Sequence, residues 1–325
     1  MRKTAIFLLS ALFIILCYFT SVSAISVFQS DLELPDSTSE QQSMYRIVLI
    51  TQDIDTPFWD EVGRAAKQEA EKLGVSLEMW GNYGSHQEDF LKNLEIAIQS
   101  KVDGIIIQGL DTKEFQELTK VKASFYGIPI ITIANDVSMD ESLRRTYVGS
   151  DQYKAGKMIA QQLISDMGAT GNVVLLHNDN HAFYQEQRLK GMEDIFMKHR
   201  GIKLHYANTA TTRDDMIAAT QDILNQVPDA DAFIAVNANF VGAIVQEISK
   251  RYQVEPFYIY SFDDGPESLT LLEQGLVDGI LKQSPDEMGR LSVQVLTEWL
   301  NGETIPLDSN GYITEIQIVK ATDVP

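Results

Sequence analysis

The chain has 325 residues, enough for two domains of ordinary size, and its hydrophobic fraction of 44% is that of a globular protein. With 46 acidic against 26 basic residues the formal charge is −20, which argues against nucleic acid as a partner, because phosphate binding needs clustered Lys and Arg. An acidic balance of this kind keeps an exported protein dispersed and carries no information about the fold.

Arg2 and Lys3 precede an uncharged run from Thr4 to Ser30, whose most apolar part, Ala5 to Phe19, is 15 residues long. That length is the upper edge of a signal-peptide core and is short for a spanning helix. Val22-Ser23-Ala24 puts small residues where cleavage would occur, whereas continuation through Ile25, Val27 and Phe28 extends the run to anchor length. Residues 1–30 therefore read as a signal peptide or an N-terminal membrane anchor, and the basic start places the rest of the chain outside the cytoplasm. Cys17, the single cysteine, lies in this run, so the exported part carries no disulfide. Bulky Ile14-Ile15-Leu16 before it argues against lipidation. Residues 31–44 are polar and read as a tether.

From Tyr45 onward a strand pattern is written twice. Runs at Ile47–Ile50, Val75–Leu77, Gly104–Ile107 and Pro129–Ile133 recur at Val173–Leu176, Ile202–Leu204, Ala232–Ala235 and Pro256–Ile259, an offset of about 127 residues. Amphipathic stretches separate the runs, so each half predicts a parallel sheet covered by helices on both faces. Thr56, Pro57 and Gly74 are the cap, first turn and stop of the first helix, with Val62, Ala66, Ala70 and Leu73 on one face. Ser85-His86-Gln87-Glu88 and Ser284-Pro285-Asp286-Glu287 have capping-box spacing. A further strand at Gly275–Leu281, a helix to Asn301 and a last strand at Ile313–Ile318 complete the chain and are open to either domain. Two open α/β domains bind ligands at the carboxyl ends of their strands.

Those ends carry amides, carboxylates and aromatics. Gln52 to Trp59 follow the first strand; Gln108 with Asp111, Asn135-Asp136, Asn178 to His181, Asn237 with Asn239, and Asp263-Asp264 follow others. Amides and carboxylates hydrogen-bond pairs of hydroxyls, and aromatic faces cover the C–H surface of a sugar ring. Asn and Asp also favour turns and caps, so the set carries the argument rather than any one position. His177 and His181 leave a strand, where a spacing of four does not share a face, and no metal or cofactor is expected. No GxSxG, Walker or GxGxxG pattern follows a strand, which leaves hydrolase, nucleotidase and dinucleotide readings without their motifs.

Thr56-Pro57-Phe58-Trp59, Ile128-Pro129-Ile130-Ile131-Thr132, Val148-Gly149-Ser150-Asp151 with Gly156, Arg188-Leu189-Lys190-Gly191, Asn237, Phe262-Asp263 and Gln283-Ser284-Pro285 together carry a resemblance from Tyr45 onward. The chain resembles the periplasmic sugar-binding proteins of the ribose-binding type, whose fold is shared with the ligand domains of LacI-type repressors. The resemblance implies two doubly wound parallel-sheet domains joined by a three-crossing hinge, a periplasmic binding protein of type I. It implies lobes of residues 45–150 with 284–312 and 151–283 with 313–325, and crossings near Ser150, Gln283 and Tyr312. It also implies that Phe58 and Trp59 stack on the ligand, that Arg188, Asn237 and Asp263 bind hydroxyls, and that Gln283 sits at a crossing.

The first half departs from the family. Ala134-Asn135-Asp136 stands where an Asp-Arg pair is typical, Gln52 replaces a small hydroxyl residue, Thr56 replaces an asparagine, and Thr211 aligns with a phenylalanine that walls the pocket. Gln52, Asn135 and Asp136 remain the candidate first-lobe ligands, and the changes leave room for a pentose other than ribose, a hexose or a polyol. The implied partners are a monosaccharide and either an ABC permease or a sensor histidine kinase, with the membrane as a further contact if the N-terminal segment is uncleaved.

Overall fold

The computed structural model describes residues 13, 16–20, 45–52, 54–82, 86–178, 182–210, 212–237, 240–251, 257–262 and 265–323. Residues 1–43 and 44–325 are separate units. In the first, residues 13 and 16–20 are helical, and the Thr20 hydroxyl donates to the Leu16 carbonyl at 2.8 Å. The remainder of the expected leader and the 31–44 tether lie outside the described residues. Among the described residues no helix is long and apolar enough to cross a membrane.

The second unit begins with β1 (Arg46–Ile50), α1 (Pro57–Leu73), β2 (Ser76–Trp80), α2 (Gln87–Gln99), β3 (Gly104–Gln108), α3 (Lys113–Gln116), β4 (Ile130–Ile133), α4 (Met139–Ser142) and β5 (Thr146–Gly149). It continues with α5 (Gln152–Met167), β6 (Thr170–Asn178), α6 (Phe183–Phe196), β7 (Gly201–Thr209), α7 (Arg213–Gln226), β8 (Ala232–Ala235) and α8 (Val241–Arg251). The last elements are β9 (Tyr258–Phe262), α9 (Pro266–Glu273), β10 (Gly279–Lys282), α10 (Pro285–Leu300), β11 (Tyr312–Ile313) and β12 (Gln317–Val319). The strands form two six-stranded sheets, β11-β5-β4-β3-β1-β2 and β12-β10-β9-β8-β6-β7. Of the pairings, β12 with β10 is antiparallel and the rest are parallel.

The continuous apolar runs follow from burial on both faces. In β1, Ile47 and Leu49 face α1 and α10, while Val48 and Ile50 face α2 and the stretch after it. In β6, Val174 and Leu176 face α7 and α8, while Val173 and Leu175 face α5 and α6. Full burial of each such side chain contributes about 1.5–3 kcal/mol. Helix α1 obeys its local signals: the Thr56 hydroxyl accepts from the Trp59 N–H at 3.3 Å, and Gly74 ends it at φ 68°. Val62, Ala66 and Ala70 are buried, but Leu73 is exposed, because the helix turns its last residue off the core as Gly74 reverses the chain.

Four expectations are corrected. A fifth first-sheet strand, β5, lies outside the four expected in the first half, because only Tyr147 and Val148 of its four residues are large and apolar; it holds the place in its sheet that β10 holds in the second. The expected last strand is two: Tyr312 and Ile313 extend the first sheet beside β5, and Gln317 to Val319 pair with β10 in the second. Helix α2 starts after His86, which makes no side-chain cap bond, and Ser85 lies outside the described residues. At α10, Ser284 caps nothing; its hydroxyl donates to the Glu315 carbonyl at 2.9 Å, and Glu287 accepts from the Glu315 N–H at 3.2 Å.

The chain passes between the sheets three times, from β5 into α5, from β10 into α10, and from β11 into β12. The two elements left open therefore separate: β10 joins the second sheet, and α10 packs on α1 over the first. Both α5 and α10 approach a neighbouring helix closely at glycine. A Cβ on Gly156 would overlap the Arg188 carbonyl oxygen, and one on Gly289 would overlap that of Val62.

Candidate functional site

In the second sheet β10, β9, β8 and β6 are consecutive neighbours, so the residues at their carboxyl ends share one edge. Arg188 is reached from β6 through the first turns of α6, Asn237 follows β8, Phe262 ends β9, and Gln283 follows β10. Arg188 is only 2% exposed. Its Nε donates to Gln152 Oε1 at 2.8 Å and its Nη1 to the Val236 carbonyl at 2.8 Å. Its guanidinium carbon lies close to two rings, 4.4 Å from the Phe262 centroid and 5.0 Å from that of Tyr184. Asn237 donates from Nδ2 to the Tyr184 hydroxyl at 3.1 Å. Asp263 lies outside the described residues, as do Asp179, Asn180, His181, Thr211, Asn239 and Asp264.

Sequence reasoning missed Gln152. It is buried at the first position of α5, two residues beyond the first passage, and its Nε2 donates to Gln283 Oε1 at 3.3 Å across to the second passage. A chain of hydrogen bonds thus runs from Arg188 through Gln152 to Gln283. Its signal was the Asp151 cap, whose side chain accepts from the Lys154 N–H at 2.8 Å and so fixes where the helix begins. Tyr147 underlies the same passage, with its hydroxyl 2.9 Å from the Ala134 carbonyl and 3.0 Å from that of Ser150. Burial first, and the Asp136 carboxylate second, push the Tyr147 phenol well above its ordinary pKa, so it stays a donor there.

The first sheet brings β4, β3 and β1 together in the same way. Gln108 Oε1 accepts from the Thr51 hydroxyl at 3.2 Å and the Gln52 N–H at 3.0 Å, which ties down the start of the β1–α1 loop. Asn135 and Asp136 follow β4 through a tight turn in which Ala134, a non-glycine residue, has φ 62°. Gly109 donates its N–H to the Asn135 carbonyl at 2.8 Å. A non-glycine residue in this region marks local strain of about 1 kcal/mol or more. The Asp136 carboxylate is held by Arg144 on both oxygens, Nε–Oδ1 and Nη2–Oδ2 each 2.7 Å, and accepts from Thr132 at 2.6 Å. Arg144 also donates to the Ser309 carbonyl at 3.1 Å, so Asp136 helps anchor the segment leading to β11.

Of the two predicted stacking aromatics, Trp59 is 6% exposed and packed into the core under α1, while Phe58 is half-buried and packs against the edge of that core. Their rings meet edge to face at 5.3 Å. No group of three or more potential metal ligands occurs among the described residues.

Similarity to known proteins bears on this arrangement. GanP, a glucose-galactose binding protein from Geobacillus stearothermophilus, superposes with a TM-score of 0.80 at 30% identity, covering 86% of this chain and 99% of its own. A XylFII–LytSN complex superposes with a TM-score of 0.75 at 23% identity, covering 86% of this chain and 99% of that one. The D-allose-binding periplasmic protein of Escherichia coli K12 is 22% identical over 275 residues, which is 81% of this chain and 87% of the relative. A family model described as a periplasmic binding protein domain matches residues 47–304. That match spans most of both sheets and every candidate residue described above, and this protein belongs to the periplasmic binding protein domain family.

Proposed function

We propose that this protein binds a monosaccharide, a pentose or hexose, between its two lobes outside the cytoplasm and delivers it to an ABC permease. The observation that carries the reading is the buried Arg188 guanidinium, fixed by Gln152 and the Val236 carbonyl and close to two aromatic rings, one of which, Tyr184, accepts from Asn237. Donors held in place before the ligand arrives spare binding the entropy of ordering them. The names of GanP and the D-allose-binding relative support a sugar as the ligand class. An extracytoplasmic place fits the periplasmic binding protein domain and the uncharged run of residues 4–30, and the reading is binding without turnover, with no cofactor. The lobes are residues 45–150 with 284–312 and 151–283 with 313–325, except that Ile313, paired with Gly149, goes with the first. They rotate about the three passages, and a ligand touching both stabilises the closed form. Gln52, Phe58, Trp59 and Asn135 are the first-lobe contacts, and Arg188, Asn237, Asp263 and Gln283 the second-lobe ones. Asp136, sequestered by Arg144, acts through the β4 turn it braces.

A thermal-shift panel of aldoses, ketoses and polyols tests this, because a ligand of the native state raises the melting temperature. A rise of several degrees with a subset of monosaccharides is expected, and no shift with any of them contradicts the reading. A second reading is a membrane-tethered sensor whose closure is read by a histidine kinase. It is favoured by the uncharged run of residues 4–30 and by the XylFII–LytSN complex, in which a chain of this fold is assembled with another protein. N-terminal sequencing separates the two: a mature start at Ile25 counts against the sensor.

A further inference from the structure

We infer that Tyr184 is a ligand-facing, specificity-determining residue of the second lobe, the aromatic wall against which the sugar ring rests. The inference builds on the sugar-binding reading above. Tyr184 is the second residue of α6 and stands four residues before Arg188, so both side chains lie on one face of the helix. Its ring centroid lies 5.0 Å from the Arg188 guanidinium carbon, and that of Phe262 lies 4.4 Å from it. Phe262 is fully buried, whereas Tyr184 is half-buried, so of the two rings Tyr184 is the more accessible.

One side chain therefore meets both Arg188, on α6, and Asn237, after β8, and does so by different chemistry. Its ring faces the cation, and its hydroxyl oxygen accepts the Asn237 Nδ2–H. The hydroxyl bond holds the Asn237 amide, and the ring packs close to the guanidinium that Gln152 and the Val236 carbonyl fix. Hydroxyl stereochemistry is read by donors and acceptors of fixed direction, so a residue that meets two of them governs discrimination between epimers as well as affinity. An amphipathic ring suits this place, with an apolar face for C–H groups and a polar tip for the hydroxyl network.

The test is calorimetric titration of the full chain with a panel of aldopentoses and aldohexoses that includes epimer pairs. It compares wild type, Tyr184→Phe, Tyr184→Ala and Tyr206→Phe, alongside the melting temperature of each without ligand. Tyr206 is a control: it is largely exposed on β7, and its hydroxyl meets Glu193 at 2.7 Å. Tyr184→Phe is expected to lose about tenfold in affinity for the best sugar and to compress the epimer ratios, with an unchanged ligand-free melting temperature. Tyr184→Ala is expected to lose about 100-fold or more, and Tyr206→Phe nothing. Wild-type affinity and ranking in both Tyr184 variants overturn the inference. So does an equal loss for every sugar accompanied by a lower ligand-free melting temperature, which marks a structural role. A wild-type protein that binds no member of the panel overturns the sugar reading, and this inference with it.

Discussion

Arg188 is the residue whose surroundings say most about what the protein does. A guanidinium almost wholly removed from water is costly unless its donors are met, and Gln152 and the Val236 carbonyl meet two of them. Gln152→Ala withdraws the acceptor of the buried Nε–H and is expected to destabilise the protein by about 1–3 kcal/mol, read from urea denaturation. A variant as stable as wild type would show that the Gln152 contact is dispensable. Asp278, at the start of β10, offers a pH test in the same lobe. Burial pushes its carboxyl above the usual range, despite the Ile259 N–H that donates to it at 2.7 Å. A carboxyl with a raised folded-state pKa favours folding while protonated; the benefit is complete below about pH 4 and is lost as pH rises through the higher folded value. Asp278→Asn keeps an acceptor for Ile259 without the charge. It is expected to raise the urea midpoint at pH 7 and leave it unchanged near pH 3; a lower midpoint at pH 7 contradicts this. Asn237 was legible as a residue after a strand, and Arg188 and Gln283 only through the family resemblance. Their mutual support was not, because Gln152 and Tyr184 enter from helix starts where a glutamine or tyrosine carries no distinctive signal.

At the scale of elements, the close approaches of α5 to α6 and of α10 to α1 are equivalent features of the two lobes. Each requires a residue without a side chain, at Gly156 and Gly289. Alanine at either forces the facing helix to shift and is expected to cost about 1–3 kcal/mol in urea denaturation. The two differ in what moves. Gly156→Ala displaces the Arg188 backbone and should also weaken ligand binding, whereas Gly289→Ala displaces Val62. Unchanged stability in both would contradict the packing described. Most strands were readable because burial on two faces demands unbroken apolar runs, as in Ile47 to Ile50 and Val173 to Leu176. The exceptions are β5, which has only two large apolar residues of four, and β11 and β12, which at two and three residues are too short for periodicity to register. Ser284 and Glu287 matched a capping box but instead hold Glu315, because α10 begins where two passages run side by side.

For the whole molecule, the duplicated pattern yields two similar sheets with unlike edges. The second-sheet edge presents a buried cation, an amide and two rings. Much of the first-sheet edge is engaged in its own loops, with Gln108 holding the β1–α1 start and Asp136 holding Arg144. On the proposed reading the second lobe supplies the fixed recognition set, and the first supplies Phe58 and the strained Ala134-Asn135 turn. The most direct test is calorimetric titration of wild-type and Arg188→Ala proteins with the sugar that gives the largest thermal shift. One monosaccharide per chain is predicted, with the variant weaker by about 2–4 kcal/mol, roughly 30- to 1,000-fold in Kd. Equal affinity in the two proteins, or no monosaccharide bound by the wild type, would contradict the account.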